Sequence, residues 1–235
     1  MEKLSILRAK AVRTLKKNHY ESLYWGQGQL VCGLDEAGRG PLAGPLVTAA
    51  VIVPLGTKYY LLKDSKCMTP EERERAFKWI SDNAFYAVGI VPVPVIDIIN
   101  IWYATLLGMR RAVMQLMSTY SARPAAFLVD AMPLSMKGTS YADIPVHAFV
   151  YGERLSCSVA AASIVAKVIR DRIMEKTHPL FPLYNFDKHK GYATPTHRGY
   201  IQIYNRSLAH RITYMPSLNI ANQKEGDDWK QEELC

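Results

Sequence analysis

Val31-Cys32-Gly33-Leu34-Asp35-Glu36-Ala37-Gly38-Arg39-Gly40-Pro41-Leu42-Ala43-Gly44-Pro45 is the stretch that decides how the chain is read. A short apolar run closes on two adjacent carboxylates, and a glycine-flanked arginine follows at once. A charge leaving water costs several kcal/mol unless something compensates it, and a metal ion compensates well. Adjacent strand residues point to opposite faces, so Asp35 and Glu36 can share a site only at the strand terminus, one acting directly and the other from the flank. The Gly38-Arg39-Gly40 turn lets backbone come close to a ligand. Its exposed N–H groups beside an arginine suit a phosphate. The combination points to metal-assisted phosphoryl chemistry, against the plainer alternative of a glycine-rich turn with two solvated acids. Gly38, Gly40 and Gly44 are roughly spaced for a dinucleotide fingerprint. Pro41, Pro45 and the strand-like run Leu46 to Val53 exclude it, because a helix is required there.

Working outward, strands are expected at Leu30 to Leu34, Leu46 to Val53, Phe85 to Val91, Ala125 to Val129 and Val146 to Val150 from their β-branched and apolar density. Thr69-Pro70-Glu71-Glu72 starts a helix, with an N-cap threonine, proline at N1 and glutamate at N3. A second helix is expected from Asp97 to about Tyr120, with Ile98, Ile101, Trp102, Thr105, Met109, Val113 and Leu116 on one face. A third runs from about Ser158 to Lys176, with Ala161, Ala162, Val165 and Ile173 as its stripe, and Pro179 ends it. This order of elements predicts a mixed α/β fold. Beyond Pro179 the chain is rich in Pro, Tyr, His and Arg without clear periodicity.

With 235 residues, 49% of them hydrophobic, the chain can build one compact core. No run approaches the ~18 apolar residues of a membrane span. The start lacks the pattern of a cleavable secretory leader, and a cytoplasmic protein is expected. Lys3, Arg8, Lys10, Arg13, Lys16 and Lys17 read as a basic surface helix more economically than as an organelle-targeting segment. Cys32, Cys67, Cys157 and Cys235 have no metal-site spacing and read as reduced thiols, with Cys32 and Cys157 packed as small apolar residues. The net charge of +8 is uneven: Ala221 to Cys235 holds two lysines against five acids, a balance of −3, so the first 220 residues carry +11. A basic body of this kind suits a polyanionic partner.

Asp130 closes Phe127-Leu128-Val129 as Asp35 closes its own run. From these residues the chain resembles the ribonuclease HII family. The match runs from Gly33 to Val53 and on through Asp64-Ser65-Lys66, Asn100-Ile101 with Ala104-Thr105-Leu106-Leu107, and Leu128-Val129-Asp130. It resumes at Leu155-Ser156, continues through Ala160-Ala161-Ala162-Ser163-Ile164-Val165-Ala166-Lys167 to Arg170-Asp171-Arg172, and closes with His189-Lys190-Gly191-Tyr192-Ala193-Thr194 and His197.

The resemblance implies a ribonuclease H-like mixed sheet flanked by helices, with the first strand central and a C-terminal helical lobe. Composition marks a basic N-terminal helical segment (1–29) and an acidic tail expected to be disordered (221–235). The resemblance covers roughly residues 30–216 and implies a catalytic core (30–178) and a substrate-closing region (179–220). It implies two divalent ions, Mg2+ or Mn2+, held by Asp35, Glu36, Asp130 and a fourth carboxylate. The fourth is an aspartate in the family, ten residues before the serine that closes the Ala-Ala-Ala-Ser run. Here that position is Glu153, as in the sister family ribonuclease HIII, and an exposed loop acid paired with Arg154 is its alternative. Asp171, between two arginines, reads as a helix-surface ion-pair residue. The implied substrates are RNA–DNA hybrids and duplex DNA carrying single ribonucleotides, cut to leave a 3′-hydroxyl and a 5′-phosphate, with the protein a monomer. The backbone of Gly38, Arg39 and Gly40 would grip the ribose 2′-hydroxyl and adjacent phosphates, and Tyr192 would stack on the following sugar. Ser65 and Lys66 are candidate phosphate contacts, with Lys167, His197 and Arg211 behind them; a plain surface role is the alternative for each. The competing functions are a ribonuclease HIII-like enzyme that needs a run of ribonucleotides and a non-catalytic hybrid-binding protein.

Overall fold

The computed structural model describes residues 16–214. Helix α1 (His19–Trp25) leads into β1 (Val31–Ala37), β2 (Leu46–Ile52), α2 (Pro70–Asn83) and β3 (Phe85–Val91). There follow α3 (Val93–Thr119), β4 (Ala126–Asp130), β5 (Val146–Phe149), α4 (Gly152–Leu155) and α5 (Cys157–Thr177). After two short 3₁₀ turns come α6 (Phe186–His189) and α7 (Pro195–Tyr204). The five strands form one sheet in the order β3-β2-β1-β4-β5, so the first strand is central, as expected. β1 and β3 run antiparallel to β2, whereas β4 is parallel to both β1 and β5.

The period-2 alternation of the strands separates two layers. Val47, Ala49 and Val51 of β2 pack with α2 and α5. Ala50 and Ile52, with Cys32 and Leu34 of β1, pack with α3 on the other face. The small residues Ala160, Ala161 and Ala162 let α5 lie close on the sheet. A Cβ on Gly33 would stand 2.2 Å from the carbonyl carbon of Ser158, so any larger residue there would push the helix away. α2 begins as its sequence dictates: the Thr69 hydroxyl accepts the Glu72 N–H at 3.2 Å, and the Glu72 carboxylate accepts the Thr69 N–H at 3.2 Å. Cys32 and Cys157 are buried free thiols. No helix among the described residues is long and apolar enough to cross a membrane.

Two expectations need correction. α3 starts at Val93 and breaks at Asn100 (φ 63°, ψ 169°), whose Oδ1 accepts the N–H groups of Trp102 (2.9 Å) and Tyr103 (3.2 Å) as a new N-cap. The stripe therefore does not run straight through, and Ile98 and Trp102 are 80% and 41% exposed. β1 extends to Ala37 rather than stopping at Leu34, because β2 keeps pairing with it through Glu36↔Thr48 and Ala37↔Val47. Past Pro179 the short helices pack around Tyr184 and Phe186, with Ala43, Met174 and Ala209, so aromatic and histidine contacts replace a periodic stripe. Of the basic N-terminal segment only the part from Lys16 is described. The acidic tail and Cys235 lie outside the described residues.

Candidate active site

Strand register brings the first carboxylates together. The last parallel rung between β1 and β4 is Leu34↔Val129, with both side chains packed on the α3 layer. The next residue on each strand, Asp35 and Asp130, turns to the opposite face, under α5. Glu36 points to the other side of β1 yet still lines the same cavity at the strand end, as do Gly38, Arg39, Ser65, Lys66, Glu153, Ser163, Lys167 and Tyr192. Asp35 Oδ1 accepts the Glu36 N–H (2.7 Å) and Asp130 Oδ1 accepts the Gly152 N–H (2.8 Å). That second bond ties β4 to α4, the element that carries Glu153. Gly40 lies outside the cavity lining and is exposed.

Glu153 is buried, so the alternative of an exposed loop acid fails. Its Oε1 accepts the Ser163 hydroxyl at 2.9 Å, while Arg154 lies over the Tyr151 ring, 5.6 Å from its centroid. Ser65 Oγ sits 2.8 Å from Ser163 Oγ. Because Ser163 gives its proton to Glu153, Ser65 donates to Ser163, and the chain of hydroxyls holds Glu153 in place. The Ser65 hydroxyl thus spends its proton within the protein, although the residue lines the cavity.

The charges are strained. Burial, and then the charges of Glu36, Asp130 and Glu153, push the Asp35 carboxyl well above its ordinary range. Burial raises Glu36 to about 7 despite Arg39, which lies 3.5 Å from its Oε1. Asp130 and Glu153 are also raised, mainly by burial, with Lys66 pulling each down. Burial works against the Lys66 ammonium, but Glu153, Asp35, Asp64 and Asp130 outweigh it and raise its pKa.

This donor set fits a hard cation: every candidate ligand is a carboxylate oxygen, and Glu36 Oε2 is buried with no hydrogen-bond partner. Among the described residues no group of three or more His, Cys, Asp or Glu side chains is placed to hold a metal ion by itself. Magnesium sites commonly work that way, with one or two carboxylates sharing the ion with water and substrate phosphate.

Of the remaining candidates, Tyr192 is 39% exposed at the cavity edge, with Lys167 Nζ and Arg170 Cζ each 5.4 Å from its ring centroid. Lys167 lines the cavity but pairs with Asp171 at 2.9 Å, which confirms Asp171 as an ion-pair residue. His197 and Arg211 are fully buried, so neither can meet a phosphate directly. His197 Nδ1 lies 2.8 Å from the Tyr192 carbonyl oxygen and its Nε2 3.1 Å from His210 Nε2. Burial pushes both imidazoles down to about 4, so they are neutral near pH 7. Sequence reasoning passed over Ser163 and Arg170. Both stand in the family-like motifs, but only folding shows that one carries Glu153 and the other packs on Tyr192.

Known proteins with this pattern agree with one another. The family model described as Ribonuclease HII matches residues 32–215. Ribonuclease HII of Lactobacillus delbrueckii subsp. bulgaricus is 41% identical over 209 residues, covering 88% of this chain and 78% of its own. That of Syntrophus aciditrophicus is 43% identical over 213 residues, covering 87% and 96%. Among solved structures, ribonuclease H2 from Pyrococcus horikoshii OT3 superposes with a TM-score of 0.62 at 26% identity, over 83% of this chain and all of that one. With sheet order, carboxylate-lined cavity and sequence in agreement, the chain belongs to the ribonuclease HII family, enzymes with ribonuclease H activity on RNA–DNA hybrids.

Proposed function

We propose that the protein is an endoribonuclease that hydrolyses the RNA strand of RNA–DNA hybrids and incises 5′ to single ribonucleotides in duplex DNA. The observation that carries this reading is the convergence of Asp35, Glu36, Asp130 and Glu153 on one cavity that Gly38, Arg39 and Tyr192 also line. These carboxylates would hold two divalent ions, Mg2+ or Mn2+. When bound, such ions acidify an attacking water, offset charge on the scissile phosphate and stabilise the leaving 3′-oxygen. The chain's own groups do the rest. The Gly38, Arg39 and Gly40 backbone meets the 2′-hydroxyl and adjacent phosphates, which separates RNA from DNA. Tyr192 offers a ring face to the next sugar, and Lys66 supplies positive charge at the cavity. Cleavage of a hybrid, of a duplex with one ribonucleotide and of all-DNA duplex should be compared with divalent cation and with chelator. Cutting of the first two only, and only with cation, is expected; failure on both would overturn the reading.

Glu153 is the chain's one departure from the family carboxylates. Glu153→Gln keeps an oxygen for the Ser163 hydroxyl but removes the charge, so it should raise the cation concentration needed for half-maximal rate and slow cleavage strongly. Glu153→Asp should keep substantial activity with a shifted Mg2+ to Mn2+ preference, since the shorter arm suits a different ligand distance. A metal titration of the glutamine variant that overlays the parent would remove Glu153 from the site.

Tyr192→Phe should retain most stacking, whereas Tyr192→Ala should lose ~1–3 kcal/mol of it. The loss should fall harder on a single embedded ribonucleotide than on a long hybrid. Equal losses in kcat/KM on the two substrates would reduce Tyr192 to a support of the fold.

A further inference from the structure

Arg211 is fully buried, yet every hydrogen bond its side chain donates ends on a backbone carbonyl. Nε and Nη2 reach the Gly44 oxygen at 3.0 and 2.8 Å, Nη1 the Arg39 oxygen at 3.0 Å and Nη2 the Gly38 oxygen at 2.6 Å. The Tyr214 hydroxyl donates to the same Arg39 oxygen at 2.7 Å. Burying a guanidinium whose hydrogen bonds all end on carbonyls is expensive even with the Tyr214 ring centroid 5.1 Å away and the Asp97 charge nearby, and the same stability would be had more cheaply from an apolar side chain. The expense is concentrated on one short loop.

Peptide geometry says what the loop gains. In a trans peptide the C=O of one residue and the N–H of the next point in opposite directions, and no peptide here is cis. Pulling the Gly38 carbonyl inward therefore turns the Arg39 N–H outward, and pulling the Arg39 carbonyl inward turns the Gly40 N–H outward. Neither amide donates a hydrogen bond to any other group among the described residues. The segment carrying Arg211 is itself anchored: its N–H donates to the Leu42 oxygen (2.8 Å), and the Ile212 and Thr213 N–H groups donate to the Asp97 carboxylate (3.0 Å each).

We propose that Arg211, assisted by Tyr214, is a positioning residue that aims the Arg39 and Gly40 amides at the ribose and phosphate of the substrate. The inference rests on the reading that those amides meet the substrate. It adds that their direction is set from behind by a buried cation, which reaches the reaction only through the loop.

Two variants test it. Tyr214→Phe deletes one of the two donors to the Arg39 oxygen and should stay folded, melting only slightly below the parent. It should lower kcat on a duplex with one ribonucleotide roughly 5- to 10-fold, the effect of one hydrogen bond, with affinity for all-DNA duplex unchanged. Arg211→Lys keeps a cation but loses the fork, and should lower kcat about 100-fold. In the free protein, 15N relaxation at Arg39 and Gly40 should report rigid amides in the parent and increased motion in both variants, a readout that needs no cleavage. If the parent binds the duplex but does not cut it, the proposed function fails, and the relaxation data still judge Arg211. Parental kcat together with parental amide order in the folded variants would overturn the proposal. Should Arg211→Lys not fold, Tyr214→Phe decides on the same two readouts.

Discussion

Asp35→Asn should lower cleavage by on the order of 10³-fold or more, the scale expected when several kcal/mol of transition-state charge stabilisation is removed. The same change should make the metal-free protein more stable at neutral pH. Asparagine is nearly isosteric, and its oxygen can still accept the Glu36 N–H that Asp35 Oδ1 holds at 2.7 Å. The change removes a carboxyl whose ionisation is penalised by burial and by the charges of Glu36, Asp130 and Glu153. A carboxyl whose folded-state pKa is raised favours folding while it is protonated and loses that contribution as pH rises through the folded value. For Glu36 the window runs from its ordinary 4.5 to about 7. Melting of the parent in chelator should therefore fall across that range, and Mg2+ should restore stability above it. Asp35→Asn should show a shallower fall and a smaller response to Mg2+. A variant that cleaves at the parental rate would remove Asp35 from the ligand set.

Gly40→Ala should cut kcat/KM about 100-fold, the cost of displacing a substrate by ~1 Å, with little change in melting temperature. Gly40 does not have positive φ, and a Cβ there would find nothing within 4 Å. The methyl group thus meets no atom of the free fold and stands in open space beside the loop, where the proposed substrate would approach. Gly38→Ala is the contrasting case. Gly38 sits at φ 98°, and its Cβ would stand 2.1 Å from Arg170 Nε, so alanine should destabilise the protein itself. Melting curves beside kinetics separate the two glycines. A Gly40→Ala protein as active as the parent would show that nothing docks against the loop.

Much of this was legible in the sequence, for identifiable reasons. Asp35 stands out because a glycine-flanked arginine follows the Asp-Glu pair at once, whereas Asp130 alone reads as a turn or cap residue and gains a role only from the family resemblance. The Thr69 capping box is a purely local signal that needs no tertiary context. The end of β1 is not legible because a strand stopped by charges looks finished, whereas β2 continues to pair with it. The break at Asn100 stayed hidden because an asparagine within an apolar period reads as an exposed helix position until its side chain is seen capping Trp102 and Tyr103. Arg211 and His197 misled in the opposite direction. A cation in a basic chain reads as a phosphate contact, and only the fold shows that it faces inward and grips carbonyls. Glu153 was ambiguous because Arg154 follows it; the Ser163 bond that orients it spans ten residues and an element boundary.

The central claim is tested most directly by mapping the cut. A duplex with one ribonucleotide at a known position should be incubated with the protein and Mg2+ or Mn2+, and both product ends identified. The account predicts a single nick on the 5′ side of the ribonucleotide, leaving a 3′-hydroxyl and a 5′-phosphate, and no nick in chelator. A 2′,3′-cyclic phosphate, a nick on the 3′ side, or cleavage that persists in chelator would contradict it.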